Sequence, residues 1–474
     1  MTPEEFREAG HRLVDWIADY RAGLAGRPVM ARTAPGEVRA ALPAAPPEQP
    51  EGLEGVFEDL DRVLLPGLTL WQHPQFFGYF PANAHLAGVL GDFLSTGLGV
   101  LGLSWQASPA LTELEEVVTG WVRQMVGLSD GWSGVIQDTA STCTLVALLC
   151  ARERTTDFGL ARGGLQEEGR PLVVYASDQA HSSVEKAALL AGFGRANLRA
   201  VAHEADYAMD PAALAEAARR DRAEGRVPCA VVATTGTTAV TAMDPLAAVA
   251  RVARAEGMWL HVDGAMAGSA MILPECRPLW EGVEGADSLV FNPHKWLGAP
   301  FDCSLYYVRD PQHLVRVMST NPSYLRTAQD GEVKNFRDWG IPLGRRFRAL
   351  KLWFFLLDVG VDGIRARVRR DVENAHWFAD RVDEASGWER MAPVPLQTVV
   401  LRHIPHGVLD EVRLAAHNLA IARRVNEGGR AYLTPSVLKG QQTLRVSVGA
   451  ETTERRHVEA LWRELQDAAS ALEQ

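Results

Sequence analysis

The stretch that decides the fold is VFNPHKWLG, residues 290–298. It begins at the end of a short apolar run, 288–291, and Lys295 follows four residues later in apolar surroundings. A turn-bounded run of this length is typical of a buried strand in a parallel sheet. Burial lowers the pKa of a lysine toward that of a nucleophilic amine, whereas a structural lysine lays its stem over the core and keeps its ammonium in water. Both interpretations stay open for Lys295 taken alone.

A second apolar run lies upstream in WLHVDGAMAG, residues 259–268, and ends at Asp263. Open α/β sheets bind their ligands beyond the carboxyl ends of the strands, which is where this aspartate is expected. A carboxylate there would keep a pyridine nitrogen protonated and make the ring a strong electron acceptor. An aspartate in this position is equally suited to cap a helix.

Two polar segments follow other predicted strands. Residues 138–144, DTASTCT, precede the helical run 145–154, and hydroxylic residues at a helix N-terminus suit a phosphate group, although simple capping is the commoner use. Asp138 would repel a phosphate, so we expect it to point away. In DQAHSS, residues 178–183, the imidazole of His181 either stacks on a planar cofactor or is structural.

The spacing of apolar runs predicts an α/β fold. Short runs that suit central strands alternate with helical stretches, and they are residues 172–175, 230–233, 259–262 and 288–291, with a helix at 246–255. Beyond about 360 the pattern changes to strands at 399–404 and 443–448 and a helix at 453–472. We therefore predict an N-terminal segment at 1–83, a large domain at 84–360 and a small α+β domain at 361–474.

The N-terminus reads as a capped helix, with Thr2 as N-cap, Pro3 in the first turn and Glu5 three residues after the cap. Its apolar residues recur at helical spacing, and they are Phe6, Leu13, Ile17, Tyr20 and Leu24. No neighbouring sequence is suited to cover this face, so we expect it to pack on another subunit.

Composition excludes several classes of protein. The net charge is −11 with both signs interspersed, which argues against a nucleic-acid-binding surface. No apolar run reaches the roughly 18 residues that a membrane span needs. The five cysteines form neither a CxxC pair nor a metal-ligand spacing, so we expect reduced thiols, no metal and a cytoplasmic location.

Taken together, the motifs resemble the group II pyridoxal-phosphate (PLP) decarboxylases, in the aromatic L-amino-acid decarboxylase branch. The likeness runs from the N-terminal helix to at least Trp353, and its most specific segments are residues 177–183, 292–296 and 341–348. It implies the aspartate aminotransferase-like fold (type I), with a mostly parallel seven-stranded sheet in the large domain and small N- and C-terminal domains. It also implies a homodimer with composite active sites.

The resemblance assigns roles to individual residues. Lys295 binds PLP as a Schiff base, Asp263 faces the pyridine nitrogen and His181 stacks on the ring. The remaining cofactor-binding positions are Thr139, Ala140, Ser141, Thr238, Ala265, Asn292 and His294. Tyr324, on a loop at about 318–338 that closes over the site, delivers a proton to the substrate Cα. These roles imply decarboxylation to the arylalkylamine and CO₂ through Schiff-base and quinonoid intermediates.

A further set of positions matches the substrate pocket of the family, and its members are Trp71, Tyr79, Phe80, Pro81, Ala82, Leu101, Leu103 and Gly344. The aromatic members are alternatively plain core residues. At some positions this chain differs from the residue that is usual in the animal enzymes. Ala82 replaces Thr, Leu103 replaces a Phe from the partner subunit, Gly264 replaces Ala and Met266 replaces Tyr. Asp138 and Thr142 replace the family's usual Gly and Glu. Gly344 matches plant relatives with indolic substrates, so tryptophan is favoured over phenylalanine, tyrosine or DOPA.

Three other functions remain open at this stage. An aromatic aldehyde synthase typically lacks the loop tyrosine or has an altered stacking histidine, and here Tyr324 and His181 are both present. A group II decarboxylase of a non-aromatic amino acid is disfavoured by the aromatic residues near position 80. A catalytically silent scaffold would be expected to lack Lys295, Asp263 or Tyr324.

Overall fold

The computed structural model describes residues 1–320, 329, 331–408 and 410–473. The chain divides into two compact units. The large unit comprises residues 82–379 and 392–400, and the small unit comprises residues 1–81, 380–391 and 401–474. The three-domain division stays a prediction, and the N-terminal segment shares its unit with most of the C-terminal residues.

The helices and strands of the described residues are numbered in chain order. The α-helices are α1 (Pro3–Ala22), α2 (Glu37–Ala41), α3 (Glu54–Asp59), α4 (Leu86–Leu98), α5 (Pro109–Met125), α6 (Ala140–Thr155), α7 (Ser182–Leu190), α8 (Pro211–Ala223), α9 (Leu246–Glu256), α10 (Pro311–Met318), α11 (Ala349–Glu384), α12 (Glu411–Gly428) and α13 (Arg455–Glu473). The strands are β1 (Ser133–Gln137), β2 (Leu172–Ser177), β3 (Leu198–Val201), β4 (Val227–Thr234), β5 (Trp259–Asp263), β6 (Ser288–Phe291), β7 (Ser304–Val308), β8 (Trp388–Arg390), β9 (Thr398–His403), β10 (Thr434–Leu438) and β11 (Gln441–Ser447).

The large unit is built on a seven-stranded sheet in the order β1-β7-β6-β5-β4-β2-β3. Its strands run parallel except β7, which is antiparallel to both β1 and β6. Strands β2, β5, β6 and β7 are buried along their whole length. This burial explains why their sequences are mostly apolar and do not alternate between apolar and polar residues. The prediction of a mostly parallel seven-stranded sheet is confirmed.

A second sheet has four strands in the order β10-β11-β9-β8. The β10–β11 and β8–β9 pairs are antiparallel. Strands β9 and β11 and the helix α13 coincide with the C-terminal elements that the sequence predicts. Helix α11 is interrupted at Gly360, whose φ of 67° lies in the left-handed region that glycine adopts without steric cost.

The N-terminal helix α1 has the predicted capping box. Thr2 Oγ1 accepts a hydrogen bond from the Glu5 N–H at 3.2 Å, and the Glu5 carboxylate accepts one from the Thr2 N–H at 2.7 Å. The apolar face is covered only at its far end, where Leu24 is buried against Leu65 and Leu70. The expectation that no part of this chain covers the face was therefore wrong at that end, while Phe6 and Leu13 are exposed. None of the described helices combines the length and apolar content needed to cross a membrane.

Candidate active site

The carboxyl ends of β5 and β6 carry the residues with the strongest predicted roles. In the parallel register Asp263 pairs with Val290, and beyond it the Gly264 N–H donates to the Val290 carbonyl at 2.9 Å. One step further, the Asn292 N–H donates to the Ala265 carbonyl at 3.1 Å. The two chain segments thus remain hydrogen-bonded past the strand ends, and they place Asp263 and the turn that carries Lys295 at the same sheet edge.

Asp263 is 4% exposed. Within the described residues its carboxylate accepts one hydrogen bond, from the Ala265 N–H at 3.0 Å. A buried carboxylate is costly unless a cation or further donors compensate it. The neighbouring Gly264 is explained by packing, because a Cβ there would lie 3.1 Å from the Trp280 ring and 3.2 Å from Thr235 Oγ1.

Lys295 lies in the turn that follows β6. Its backbone, with φ −95° and ψ −108°, departs from helical geometry. The Lys295 N–H donates to the Asn292 carbonyl at 3.0 Å, and its own carbonyl accepts from Asn83 Nδ2 at 3.1 Å. Asn83 was missed by the sequence analysis, because nothing at positions 82–84 marks a partner more than 200 residues away.

His181 is the N-cap of α7. Its Nδ1 accepts a hydrogen bond from the Ser183 N–H at 3.1 Å and lies 2.8 Å from Ser183 Oγ. The neutral imidazole therefore carries its proton on Nε2. Burial lowers the pKa of His181, the Asp263 carboxylate raises it and the Lys295 ammonium lowers it. His181 follows β2, whose carboxyl end lies at the same sheet edge as those of β5 and β6.

His294 and Asn292 are buried beside Lys295. The Cys303 N–H donates to His294 Nδ1 at 2.9 Å. Burial, followed by the charge of Lys295, lowers the pKa of His294 to about 3, so this imidazole is neutral at physiological pH. Asn292 Oδ1 accepts from Ser304 Oγ at 2.6 Å, and the same hydroxyl lies 3.2 Å from the Asp138 carbonyl. Ser304 thus connects the β6 turn to the segment before α6.

The N-terminus of α6 follows β1, as predicted for a phosphate-binding segment. Thr139 is its N-cap, but the Thr139 side chain makes no capping hydrogen bond. Its hydroxyl lies 3.5 Å from Thr142 Oγ1. Asp138 Oδ1 accepts from the Thr139 N–H at 2.6 Å, so this carboxylate is bound to its own chain neighbour. Ala140 is buried and Ser141 is exposed in the first helical turn.

Thr238 and Ala265 also belong to the large unit. Thr238 is exposed on the loop between Thr235 and Met243, which form an isolated bridge, and Ala265 is half-buried. The buried Asp244 closes this loop by accepting from the Met209 and Thr234 N–H groups, both at 2.7 Å. Burial raises the pKa of Asp244 to about 7. Sequence analysis did not identify Asp244, because an isolated aspartate in a loop gives no sign of burial.

Four of the predicted substrate residues lie in the small unit. The rings of Trp71 and Tyr79 stack at 5.3 Å with an interplanar angle of 13°, and these residues are 37% and 48% exposed. Such exposure contradicts the interpretation of Trp71 and Tyr79 as plain core aromatics. Phe80 lies 4.6 Å below the guanidinium of Arg445, and Pro81 is buried.

Tyr79 has an unusual backbone and several distant partners. Its φ of 48° is rare for a bulky residue and persists only where surrounding contacts hold it. The Tyr79 N–H donates to Thr434 Oγ1 at 2.8 Å, and the Tyr79 carbonyl accepts from the buried Arg445. Tyr432 donates from its hydroxyl to that of Tyr79 at 3.3 Å. Sequence analysis missed all three partners.

The other predicted substrate residues lie in the large unit. A Cβ on Gly344 would come within 3.0 Å of Leu101 Cδ1, and the Gly102 N–H donates to the Arg345 carbonyl at 2.9 Å. The structure therefore brings Gly344 and Leu101 together. Ala82 and Leu103 are half-buried. The predicted proton donor Tyr324 lies outside the described residues.

Comparison with known proteins identifies the family of the chain. Residues 35–404 match the model of the pyridoxal-dependent decarboxylase conserved domain. The chain is 41% identical to tryptophan decarboxylase 2 of Oryza sativa subsp. japonica, over 99% of this chain and 95% of the relative. It is 41% identical to the aromatic-L-amino-acid decarboxylase of Bos taurus, over 100% and 97%. It is also 40% identical to the phenylacetaldehyde synthase of Arabidopsis thaliana, over 100% and 97%.

A solved structure extends the likeness to three dimensions. The crystal structure of Oryza sativa TDC with PLP and tryptamine matches with a TM-score of 0.97 at 36% identity, covering 100% of this chain and 99% of that chain. The fold and the residues at its sheet edge thus define a PLP-dependent enzyme of the aspartate aminotransferase-like class, as the resemblance predicted. The chain belongs to the pyridoxal-dependent decarboxylase family, and it is a carboxy-lyase.

The residues present fit PLP. The buried Asp263, with one hydrogen bond among the described residues, is suited to a protonated pyridine nitrogen. The first-turn N–H groups of α6 are suited to a phosphate, since the side chain of the N-cap Thr139 does not occupy them. The neutral His294 adds a further donor, because its Nδ1 already accepts from Cys303. Lys295 supplies the amine.

Proposed function

We propose that this enzyme removes the α-carboxylate of an aromatic L-amino acid, with tryptophan preferred over phenylalanine, tyrosine and DOPA, and releases the arylalkylamine and CO₂. The observation that carries the proposal is that Asp263, Lys295 and His181 lie at or just beyond the carboxyl ends of the parallel strands β5, β6 and β2, at one edge of the sheet. The aromatic class of the substrate rests on the relatives, whose names specify tryptophan and aromatic L-amino acids.

The cofactor-binding residues have distinct tasks in this proposal. Lys295 would hold PLP covalently through its side-chain amine. Asp263 keeps the pyridine nitrogen protonated, because its buried carboxylate favours a cationic partner. When bound, PLP supplies an acceptor for the electron pair that CO₂ leaves behind. The phosphate is held by the α6 N-terminus and the β6 turn, through Thr139, Ala140, Ser141, Asn292 and His294.

His181 has a different role, in packing and electrostatics. We assign its ring to stacking on the cofactor, lined further by Thr238 and Ala265. Its Nδ1 is occupied by Ser183, so the ring presents Nε2–H as its donor. Because burial lowers the pKa of His181, the ring stays neutral at pH values where an ordinary histidine is already protonated.

Proton delivery to the substrate Cα is assigned to Tyr324, on the resemblance alone. A phenolic O–H is a competent general acid when it is held within hydrogen-bond reach of the carbon. Tyr324→Phe should divert product from the amine toward aldehyde and ammonia, with O₂ consumed as the oxidant and peroxide released, as in the related aldehyde synthases. If this variant keeps clean decarboxylation, the proton donor is another group.

The aromatic part of the substrate is assigned to Trp71, Tyr79, Phe80, Pro81 and Ala82, together with Leu101, Leu103 and Gly344. Exposed, stacked rings such as Trp71 and Tyr79 offer flat apolar area to a flat ligand. The small Gly344 beside Leu101 leaves room that suits an indole better than a substituted phenol.

We further propose that the enzyme is a homodimer and that Leu103 acts in the partner's site. Helix α4 supports this assembly, because one of its faces exposes Leu90, Phe93, Leu94 and Leu98 at 40–51% each. Its opposite face is tightly packed, since a Cβ on Gly91 would lie 2.7 Å from the Leu350 carbonyl. Phe93→Asp with Leu94→Asp should halve the mass measured by sedimentation. A dimer that survives both charges would place the interface elsewhere.

Product analysis tests the function. PLP-loaded enzyme is offered tryptophan, tyrosine, DOPA, phenylalanine and glutamate separately, and CO₂, amine, aldehyde and peroxide are measured. Amine from the aromatic substrates with tryptamine leading supports the proposal. Aldehyde with peroxide would indicate the alternative reaction, aromatic aldehyde synthesis, for which one relative, the phenylacetaldehyde synthase, is named. Turnover of glutamate alone would refute the aromatic assignment.

A further inference from the structure

The cation of Lys351 is buried close to the cofactor-binding residues but has no role in the proposed chemistry. It lies near the start of α11, and its side chain is 0% exposed. Its Nζ lies 3.1 Å from Asp92 Oδ1 and donates to the carbonyls of Phe301 and Asp302 at 3.2 and 3.3 Å. A buried ammonium is tolerated only where such partners compensate its lost hydration. Lys351 therefore connects the first two residues of a short loop, residues 301–303, to α4.

That loop ends at Cys303, which is hydrogen-bonded to His294 in both directions. The Cys303 N–H donates to His294 Nδ1 at 2.9 Å, and the His294 N–H donates to the Cys303 carbonyl at 3.3 Å. The ring of Phe301 adds an edge contact to the imidazole at 4.9 Å. The position of the 301–303 loop consequently sets the position of the His294 ring.

The same contact sets the tautomer of His294. A neutral imidazole has one acceptor and one donor nitrogen, and here Nδ1 is the acceptor. The ring therefore presents Nε2–H as its single donor. A shift of the loop would release Nδ1 and allow the other tautomer, with the proton on the wrong side for an anionic ligand.

The loop is held from a second direction by Arg348. Its guanidinium binds the Asp302 carboxylate through two hydrogen bonds of 3.0 Å each. This bidentate pair leaves the Asp302 carboxylate 4.0 Å from Lys351, so Lys351 acts mainly on the loop carbonyls. Lys351 and Arg348 thus hold different groups of the same loop.

We infer that Lys351 is a positioning residue for the phosphate group of the cofactor: through the 301–303 loop it holds His294 with Nε2–H available to the phosphate. This inference rests on the phosphate role proposed above for His294. It assigns a function to a buried charge beyond its contacts with Asp92 and the loop carbonyls, which an apolar side chain could not replace.

The test compares PLP with pyridoxal, which reacts with the same lysine but has no phosphate. The dissociation constants of both are measured on the apo-enzyme from the visible absorbance of the bound cofactor. Lys351→Met and His294→Asn are each expected to lower the preference for PLP over pyridoxal by about tenfold. His294→Asn keeps an oxygen near the place of Nδ1 and removes the Nε2–H donor. In the double variant the preference for PLP is expected to fall no further than in either single variant, because both residues act through one contact.

Lys439→Met is the matched control. Lys439 is exposed in the turn between β10 and β11 of the small unit, so the same substitution there should leave the preference unchanged. An equal loss of PLP and pyridoxal affinity in Lys351→Met would make Lys351 merely structural and would overturn the inference. Additive losses in the double variant would overturn it as well.

Two further outcomes separate this inference from the proposal on which it rests. If His294→Asn leaves the preference unchanged, the phosphate role of His294 itself is wrong. If His294→Asn lowers the preference and Lys351→Met does not, only the inference about Lys351 fails. Should Lys351→Met not fold, Asp92→Asn removes the carboxylate partner of Lys351 and is expected to lower the preference in the same direction, about threefold. An unchanged preference in Asp92→Asn would contradict the inference.

Discussion

The sheet edge of the large unit that carries Asp263 and Lys295 differs from the aromatic segment of the small unit, residues 71–80. The two regions differ in how far apart in sequence their contacting residues lie. At the edge, side chains are held by near neighbours in sequence: His181 by Ser183, two residues away, and Asn292 by Ser304, 12 residues away. In the aromatic segment, Tyr79 is held by Tyr432, Thr434 and Arg445, which lie 353, 355 and 366 residues away. These two contacts at the edge are thus encoded in short motifs, whereas the conformation of Tyr79 depends on distant parts of the chain.

The largest effect is expected at the edge, from Lys295→Ala. This variant lacks the amine that binds PLP, so the visible absorbance of lysine-bound cofactor should vanish. Turnover should fall by at least about 10⁴-fold, because a covalent route is lost entirely. Absorbance titration and product formation measure the two losses. Lys439→Met, at an exposed turn of the small unit, is the control, and retention of both signals in Lys295→Ala would place the cofactor on another residue.

A smaller loss is expected from Asp263→Asn at the same edge. The amide has the shape of the carboxylate and can keep the contact with the Ala265 N–H, but it no longer favours a protonated pyridine nitrogen. We expect kcat to fall by about 10²–10³-fold, comparable to the removal of one charge-stabilising group from an active site. Steady-state kinetics on PLP-saturated enzyme measures this loss. A change confined to KM would mean that Asp263 acts on substrate binding instead.

The same contrast between local and distant contacts determines which features could be predicted from the sequence. The strands β2, β4, β5 and β6 were predictable because their apolar runs are continuous, and Asp263 and Lys295 follow those runs directly. Asn83 and Lys351 were not predictable, since their partners are brought to them only by the packing of α4 and the 301–303 loop. A lysine in an amphipathic helix is normally solvated, and the sequence carries no sign that Lys351 is fully buried.

Gly344→Ser tests the substrate side of the large unit. The new Cβ would lie 3.0 Å from Leu101 Cδ1, so the flexible Leu101 side chain would have to move. The serine hydroxyl would add to the volume that Leu101 must vacate. We expect the preference for tryptophan over tyrosine, as a ratio of kcat/KM, to fall by about tenfold, since one added methylene-sized group changes discrimination by this order. Pyridoxal-phosphate affinity should not change. An unchanged ratio would remove Gly344 from the substrate-binding residues.

The smallest effect is expected from Thr434→Val, which acts on the aromatic segment through its backbone. Valine keeps the shape of threonine but cannot accept the hydrogen bond from the Tyr79 N–H at 2.8 Å, and that bond supports a left-handed backbone with φ of 48°. A lost neutral hydrogen bond of this kind is worth about 1 kcal/mol, so KM for aromatic substrates should rise about fivefold while kcat changes little. Thr443→Val is the control, because Thr443 donates its hydroxyl hydrogen bond to the Ser436 carbonyl in the same sheet at 3.0 Å. Both variants should lose similar stability, so a KM increase in both would show a general loosening of the sheet and not a specific effect on Tyr79.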